Sequence, residues 1–168
     1  GLALNNAVIF VLVEFVAATD PIKISRLTIT NNSASARRLS VAAYVEWALG
    51  PSRATCAPHI ITTRDETGAI FAANRWSEPF AARTAFADMC GRQQSWTGDR
   101  REFIGRSGSL SKPAALADDG PLSGRLGAGL DPCAAMMSNL ELAPGQSSEI
   151  VFLLGDAADA EDAASLIK

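Results

Sequence analysis

The sequence predicts an all-β fold, an antiparallel sandwich closed by one short C-terminal helix. Three observations carry that expectation. Short alternating or apolar runs rich in Val, Ile, Phe and Ala recur along the chain, which is the period of strands. Turn chemistry such as Asn31-Asn32-Ser33, Gly50-Pro51-Ser52 and Pro144-Gly145-Gln146 divides them, at intervals typical of sandwiches. Only the last segment, DAADAEDAASLIK, changes to helical spacing.

Taken in order, AVIFVLVEFV enters a strand almost at once; a start so close to a hydrophobic strand suggests that upstream sequence completes the sheet. Thr19-Asp20-Pro21 breaks it, and IKISRLTIT follows with Ile22, Ile24, Leu27 and Ile29 placed for a half-buried strand. After the Asn31-Asn32-Ser33 turn comes LSVAAYVEWAL, with Val41, Ala43, Val45 and Trp47 on one face and Ala42, Tyr44 and Glu46 on the other. These two strands are expected to pair with each other. Residues 59–73 read as a hairpin turning at Asp65 to Gly68. Asn74 to Pro79, with Trp76 inside, reads as a loop, and ARTAFADM as a short strand stopped by Gly91. AAMMSNLELA and SSEIVFLLG flank Pro144-Gly145-Gln146 and are expected to be partners. In the tail, Asp156 or Asp159 can cap the helix, with further acids near its positive end.

A chain of 168 residues makes one domain and buries roughly two-thirds of its unfolded surface, enough to fold without disulfides or metals. No run approaches the roughly 20 apolar residues that span a bilayer, so the segment is expected to be soluble. A net charge of −3 and a pI near 5.1 argue against a broad nucleic-acid footprint; Arg92, Arg100, Arg101 and Arg106 form only a local cluster. Three widely spaced cysteines, Cys56, Cys90 and Cys133, with the single histidine His59, exclude the common zinc patterns and point to reduced, buried thiols in a reducing compartment. No cofactor is expected.

Catalytic constellations are weakly represented. Nucleophilic catalysis needs a base beside Ser or Cys, and His59 lies next to Ile60 and Ile61 in what reads as a structural strand. Asp88, Asp99, Glu102 and Asp131 could in principle pair for glycoside chemistry, but any chain with 18 acids offers such pairs. GRLGAGLDP at 124–132 lacks the strand, helix and Lys-Ser/Thr of a phosphate loop. The most informative stretch is 96–133, which holds about half of the glycines together with Trp96 and Phe103, unlike a flexible linker. It reads as a structured excursion and as the candidate ligand surface. Sugar binding needs an aromatic face ringed by planar hydrogen-bonding groups. Trp96, Phe103 or Trp76 could supply the face, and Gln94, Asp99, Arg100, Arg101 and Arg106 the groups. A purely packing role for the aromatics and ion pairing for the arginines is the competing reading.

VEWALGPSRA, AFADMCGRQQSWTGDRREFIGRSGSLSKPAAL, LSGRLGAGLDPCAAM and LAPGQSSEIVFLLG resemble the N-terminal β-domain of the inverting disaccharide phosphorylases, including the phosphorylase-like region of cyclic β-1,2-glucan synthases. The resemblance runs from about Ile22 to Lys168. It implies a super-β-sandwich of galactose-mutarotase type over residues 1–155, with 156–168 starting a helical linker to a catalytic (α/α)6 barrel that lies outside this chain. It further implies a non-catalytic domain that binds carbohydrate, positions a β-glucan or oligosaccharide, or contacts the barrel or a second copy as a homodimer. The parent is expected in the inner membrane, with this region on the cytoplasmic side. A domain-docking or dimerisation module without its own sugar site is the alternative, marked by an apolar patch at Leu110, Ala114, Leu116 and Leu122.

Overall fold

The computed structural model describes residues 7–78, 80–117 and 120–168. Among these described residues nine strands form two antiparallel sheets. β1 (Val8–Val16) and β2 (Ile22–Asn31) make a hairpin across the Asp20-Pro21 break; β4 (Ile60–Arg64) and β5 (Ile70–Asn74) make the hairpin expected around Asp65. With β6 (Thr84–Asp88) and β9 (Ser147–Ala157) they complete a six-stranded sheet of order β1-β2-β9-β6-β5-β4. The second sheet has three strands, β3 (Arg37–Glu46), β8 (Pro132–Leu142) and β7 (Ser95–Asp99), in the order β3-β8-β7.

Two expected pairings are corrected. β3 does not pair with β2, nor β9 with β8: β3 runs beside β8 (Val41↔Ser138, Tyr44↔Ala135), while β9 lies between β2 and β6. Alternation fixes which residues share a face but is silent about the neighbouring strand, and both of these turns carry the chain from one sheet to the other. β7 is a strand where only an excursion was expected. SWTGD runs into the Gly-rich stretch from Trp96, but the edge of β8 holds it extended through Ser95↔Met137 and Thr97↔Ala135.

Asn31 anchors both crossings. Its side chain is buried, and Nδ2 donates to Leu142 O and Ser35 O, both at 2.9 Å. Its Oδ1 accepts from Ser33 N and Ser33 Oγ, its backbone N–H donates to Gln146 O, and its carbonyl accepts from Gly145 N. The β2–β3 corner and the β8–β9 corner are thus closed by one residue, as the turn expected at Asn31-Asn32-Ser33 requires. A buried amide with every polar atom paired stabilises this arrangement and penalises its alternatives.

Packing forms layers. Ile29, Val41, Trp47, Ile60, Ile70, Met136 and Ile150 fill the space between the sheets. On the outside of the larger sheet, Ile22, Phe71 and Phe86 meet Ala163 of α3 (Ala160–Leu166), which Asp159 caps by accepting from Glu161 N and Asp162 N. β9 runs on to Ala157, so strand gives way to helix two residues later than the sequence suggests. On the outside of the smaller sheet, Phe103 and Ile104 cover Cys133, Ala135 and Met137. β8 is consequently buried on both faces over Pro132–Ser138, which explains its uninterrupted PCAAMM run. Of the thiols expected to be buried, Cys56 and Cys133 are, whereas Cys90 is exposed and sits at φ 50° beside Gly91 in a tight turn.

Asn31→Ala strands Leu142 O and Ser35 O, and is expected to lower unfolding free energy by about 3 kcal/mol, read from the urea midpoint. Asn32→Ala, at the exposed neighbour, is expected to cost less than about 0.5 kcal/mol.

Candidate functional site

The excursion after β7 is built by groups that the sequence offered to a ligand. Asp99 is buried and caps the single-turn helix α2 (Arg100–Phe103), accepting from Arg101 N at 3.0 Å. This turn points Phe103 inward, where it is 2% exposed and stacks on Tyr44 with ring centroids 5.0 Å apart. Phe103 therefore offers no face to a sugar, a correction that follows from the Tyr44 surface it roofs. Arg100 is spent on Glu46 at 2.9 Å and approaches Asp131 at 3.8 Å. Arg53 joins the same carboxylates, its Nε 3.1 Å from Glu46. Tyr44 also donates to Glu46, so two arginines and two acids knit β3, the short helix α1 (Arg53–Cys56) and α2 together.

Glu102 holds the far limb of the excursion. It accepts from Thr97 Oγ1 at 2.6 Å and from Ser123 N and Oγ, both at 2.7 Å. Burial alone would raise this carboxyl, but those hydrogen bonds, with the charge of Arg125, hold it below the usual range. Burial likewise opposes, and Tyr44 and the arginines overcome, the lowering at Glu46. Burial, with Asp99 and other acids, pushes the Cys133 thiol up to about 12, so it carries no nucleophile.

The glycine run 124–129 is a strap rather than a ligand loop. Gly124 N donates to Trp96 O at 2.8 Å, Gly98 N to Arg125 O at 2.7 Å, and Thr62 N to Gly127 O at 3.2 Å. Gly127 N returns the contact to Thr62 Oγ1 at 3.1 Å. The strap so joins β7 at the edge of one sheet to β4 at the edge of the other. A side chain at Gly98 would meet Thr62 Oγ1 at 2.6 Å, which explains the glycine. Trp96 lies half-buried under this latch, with Arg64 of β4 4.0 Å over its ring, so one indole face is already occupied.

Of the remaining candidates, Gln94 is exposed and pairs with the backbone of Asn139. Arg101 and Arg106 are exposed and their guanidinium groups make no ion pair or hydrogen bond among the described residues. Trp76 stands apart at 73% exposure, stacked on His59 at 4.5 Å with the rings 17° apart. The structure does not bring it together with Trp96 and the arginines of α2.

The opposite side of the sandwich is unlatched. β1 edges the larger sheet and β3 the smaller, and between them a cleft of about 390 Å³ opens, lined by Leu12, Leu27, Val45, Phe152 and Leu154 among others. On β1, Phe10 is 61% and Leu12 57% exposed, and Ile9, Val11, Val13, Phe15 and Val16 are exposed with them. Its one acid, Glu14, is engaged by Lys23 at 2.8 Å and Ser25 at 2.8 Å. Sequence reasoning saw this strand but not its exposure, because a two-sided apolar run normally signals a fully buried strand. Leu110 and Leu116 of the excursion are also exposed, whereas Leu122 is buried. No helix among the described residues is long and apolar enough to cross a membrane.

Two antiparallel sheets of unequal size, the smaller one roofed by an irregular excursion, define a member of the supersandwich class. Residues 8–168 match the family described as "Glycosyl hydrolase 94, supersandwich domain", and the chain belongs to that family. It is 37% identical over 140 residues to "Cyclic beta-(1,2)-glucan synthase NdvB" of Rhizobium meliloti (strain 1021), covering 83% of this chain and 5% of that protein. Among solved structures it is similar to "Polysaccharide Lyase BACCELL_00875", with a TM-score of 0.57 and 11% identity, over 96% of this chain and 22% of that one. At that identity the likeness is one of fold.

Because the folded-state carboxyls of Glu102 and Glu46 sit below their ordinary 4.5, their stabilisation is complete above that value and lost as pH falls through the lowered one. Glu102→Gln is expected to lower Tm at pH 7 and to flatten its decline below about pH 4.5. A variant with the wild-type acid slope would show that the Glu102 latch contributes nothing.

Proposed function

We propose that the chain is a non-catalytic scaffolding domain of a β-glucan synthase or glycan phosphorylase, and that its open edge holds a neighbouring domain of the same polypeptide. The single observation that carries this is β1, a nine-residue edge strand apolar on both faces beside an apolar cleft. Edge strands that stay in water are normally guarded by free charges, proline or bulges. β1 has none of these except a neutralised Glu14. The occupant we favour is the catalytic (α/α)6 barrel that the resemblance implies, and the relative's far greater length supports a parent large enough to supply one. In such a parent the domain sits on the cytoplasmic side of the inner membrane.

Capture of β-1,2-glucan by the excursion is the weaker reading, since Asp99, Arg100 and Phe103 are consumed internally. Homodimerisation through β1 is the remaining alternative.

The test is calorimetric titration of this chain with the barrel domain of its polypeptide. The paired substitutions Val11→Lys and Leu12→Lys, one for each face of β1, are expected to weaken binding at least about tenfold, or about 1.4 kcal/mol. Unchanged affinity would overturn barrel docking at this edge. Loss of self-association alone, seen by sedimentation, would establish the dimer instead.

A further inference from the structure

We propose that Trp76 forms a glucan-stacking subsite remote from the open edge. The inference rests on reading the chain as part of a glucan-handling protein and owes nothing to what covers β1.

The loop that carries Trp76 is fixed. Asn74, buried at the end of β5, accepts from Trp76 N at 3.1 Å through Oδ1 and donates to Leu49 O at 2.8 Å through Nδ2. Ser77 N donates to Asn74 O and Phe80 N to Ser77 O. Arg75 ties the far side, donating through Nη1 to Ala81 O at 2.9 Å. The indole is propped from behind by the His59 imidazole. His59 is itself set by the 3-10 turn Ala57–His59 that leads into β4. One face of Trp76 is therefore supported and the other is open to solvent.

Around it lies a shallow depression of about 360 Å³ lined by Pro58, His59, Ile61, Arg75, Trp76 and Ala128. That size is within the roughly 300–1,000 Å³ of small-molecule sites. The lining matches a pyranose: an aromatic plane for axial C–H bonds, and donors for equatorial hydroxyls at its rim. Those donors are the Arg75 N–H groups that make no hydrogen bond among the described residues. Ala128 belongs to the strap, so the same segment that latches β7 to β4 walls this depression. A β-linked gluco-oligosaccharide is the ligand class that uses both the flat apolar surface and the rim donors.

The experiment is a titration of the isotopically labelled chain with β-1,2-linked gluco-oligosaccharides, following the Trp76 indole N–H resonance in the wild type and, in the wild type and every variant, the backbone amide resonances of Ile61, Arg75 and Ser77 beside it. A saturable shift with millimolar affinity is expected, abolished in Trp76→Ala, retained but weaker in Trp76→Phe, and weakened at least about threefold in Arg75→Ala. At 73% exposure, Trp76 can be replaced without opening the core. An indole resonance unmoved at tens of millimolar glucan overturns the subsite. So does saturable binding that survives Trp76→Ala, although that outcome leaves a carbohydrate-binding domain in place. Loss of barrel docking in the preceding experiment bears on the open edge and leaves Trp76 untouched.

Discussion

The architecture depends on Asn31. A sandwich needs its chain to leave one sheet and enter the other, and each such corner exposes backbone groups to an apolar interior that supplies no water. Here two corners far apart in sequence lean on each other through one amide, which serves Ser35 on one side and Leu142 on the other. The polar groups of both corners are thus paired at the end of the inter-sheet core rather than inside it. The same engagement leaves the Asn31-Asn32-Ser33 sequon with no accessible acceptor amide in the folded chain.

From that corner the two long sides of the sandwich diverge. On one, β4 and β7 are laced by Thr62, Gly127, Gly98 and the Arg64–Trp96 contact. On the other, β1 and β3 gape over apolar side chains. A protein acting alone would gain by closing both sides. A domain that works within a larger assembly has reason to close only the side that meets solvent. This asymmetry, more than any catalytic residue, is what the structure contributes to a functional reading. The ion network of Glu46, Asp131, Arg53 and Arg100 belongs to the closed architecture as well: it fixes α1 and α2 against β3 and leaves none of its four charges poised for chemistry.

Much of this was legible in the sequence, and what was not has identifiable causes. Period-two runs located nearly every strand, and β3 showed its two faces, Val41-Ala43-Val45 and Ala42-Tyr44, because each packs against a different layer. Pairing was not legible, since Pro144-Gly145-Gln146 looks like a hairpin turn whether it joins neighbours in one sheet or crosses to another. β7 was hidden because its extended state comes from β8 rather than from its own residues. Among the site candidates, composition separated aromatic from charged residues but not free from committed ones. Asp99 and Phe103 are committed because Asp99 starts a helical turn that aims Phe103 at Tyr44, a consequence visible only once that turn exists. Trp76 had the opposite fate, since the loop around it is satisfied by backbone and by Asn74 and leaves the indole outside.

The order of the strands also sets a timetable for the chain. β8 lies between β3 and β7, and β9 between β2 and β6, so the centre of each sheet is supplied by the last two strands to be made. Before they emerge from the ribosome, the larger sheet exists only as two disconnected pieces, β1-β2 and β4-β5-β6, and β3 and β7 have no partner at all. The interval for synthesising Pro132 to Ala157 is on the order of seconds, during which the apolar β1-β2 hairpin has an unpaired edge on each side. Folding of such a non-local topology is slow and must await its final contacts. The domain is thus completed by its C-terminal strands, and a polypeptide that lacks Ser147–Ala157 loses the middle of the larger sheet rather than a dispensable tail.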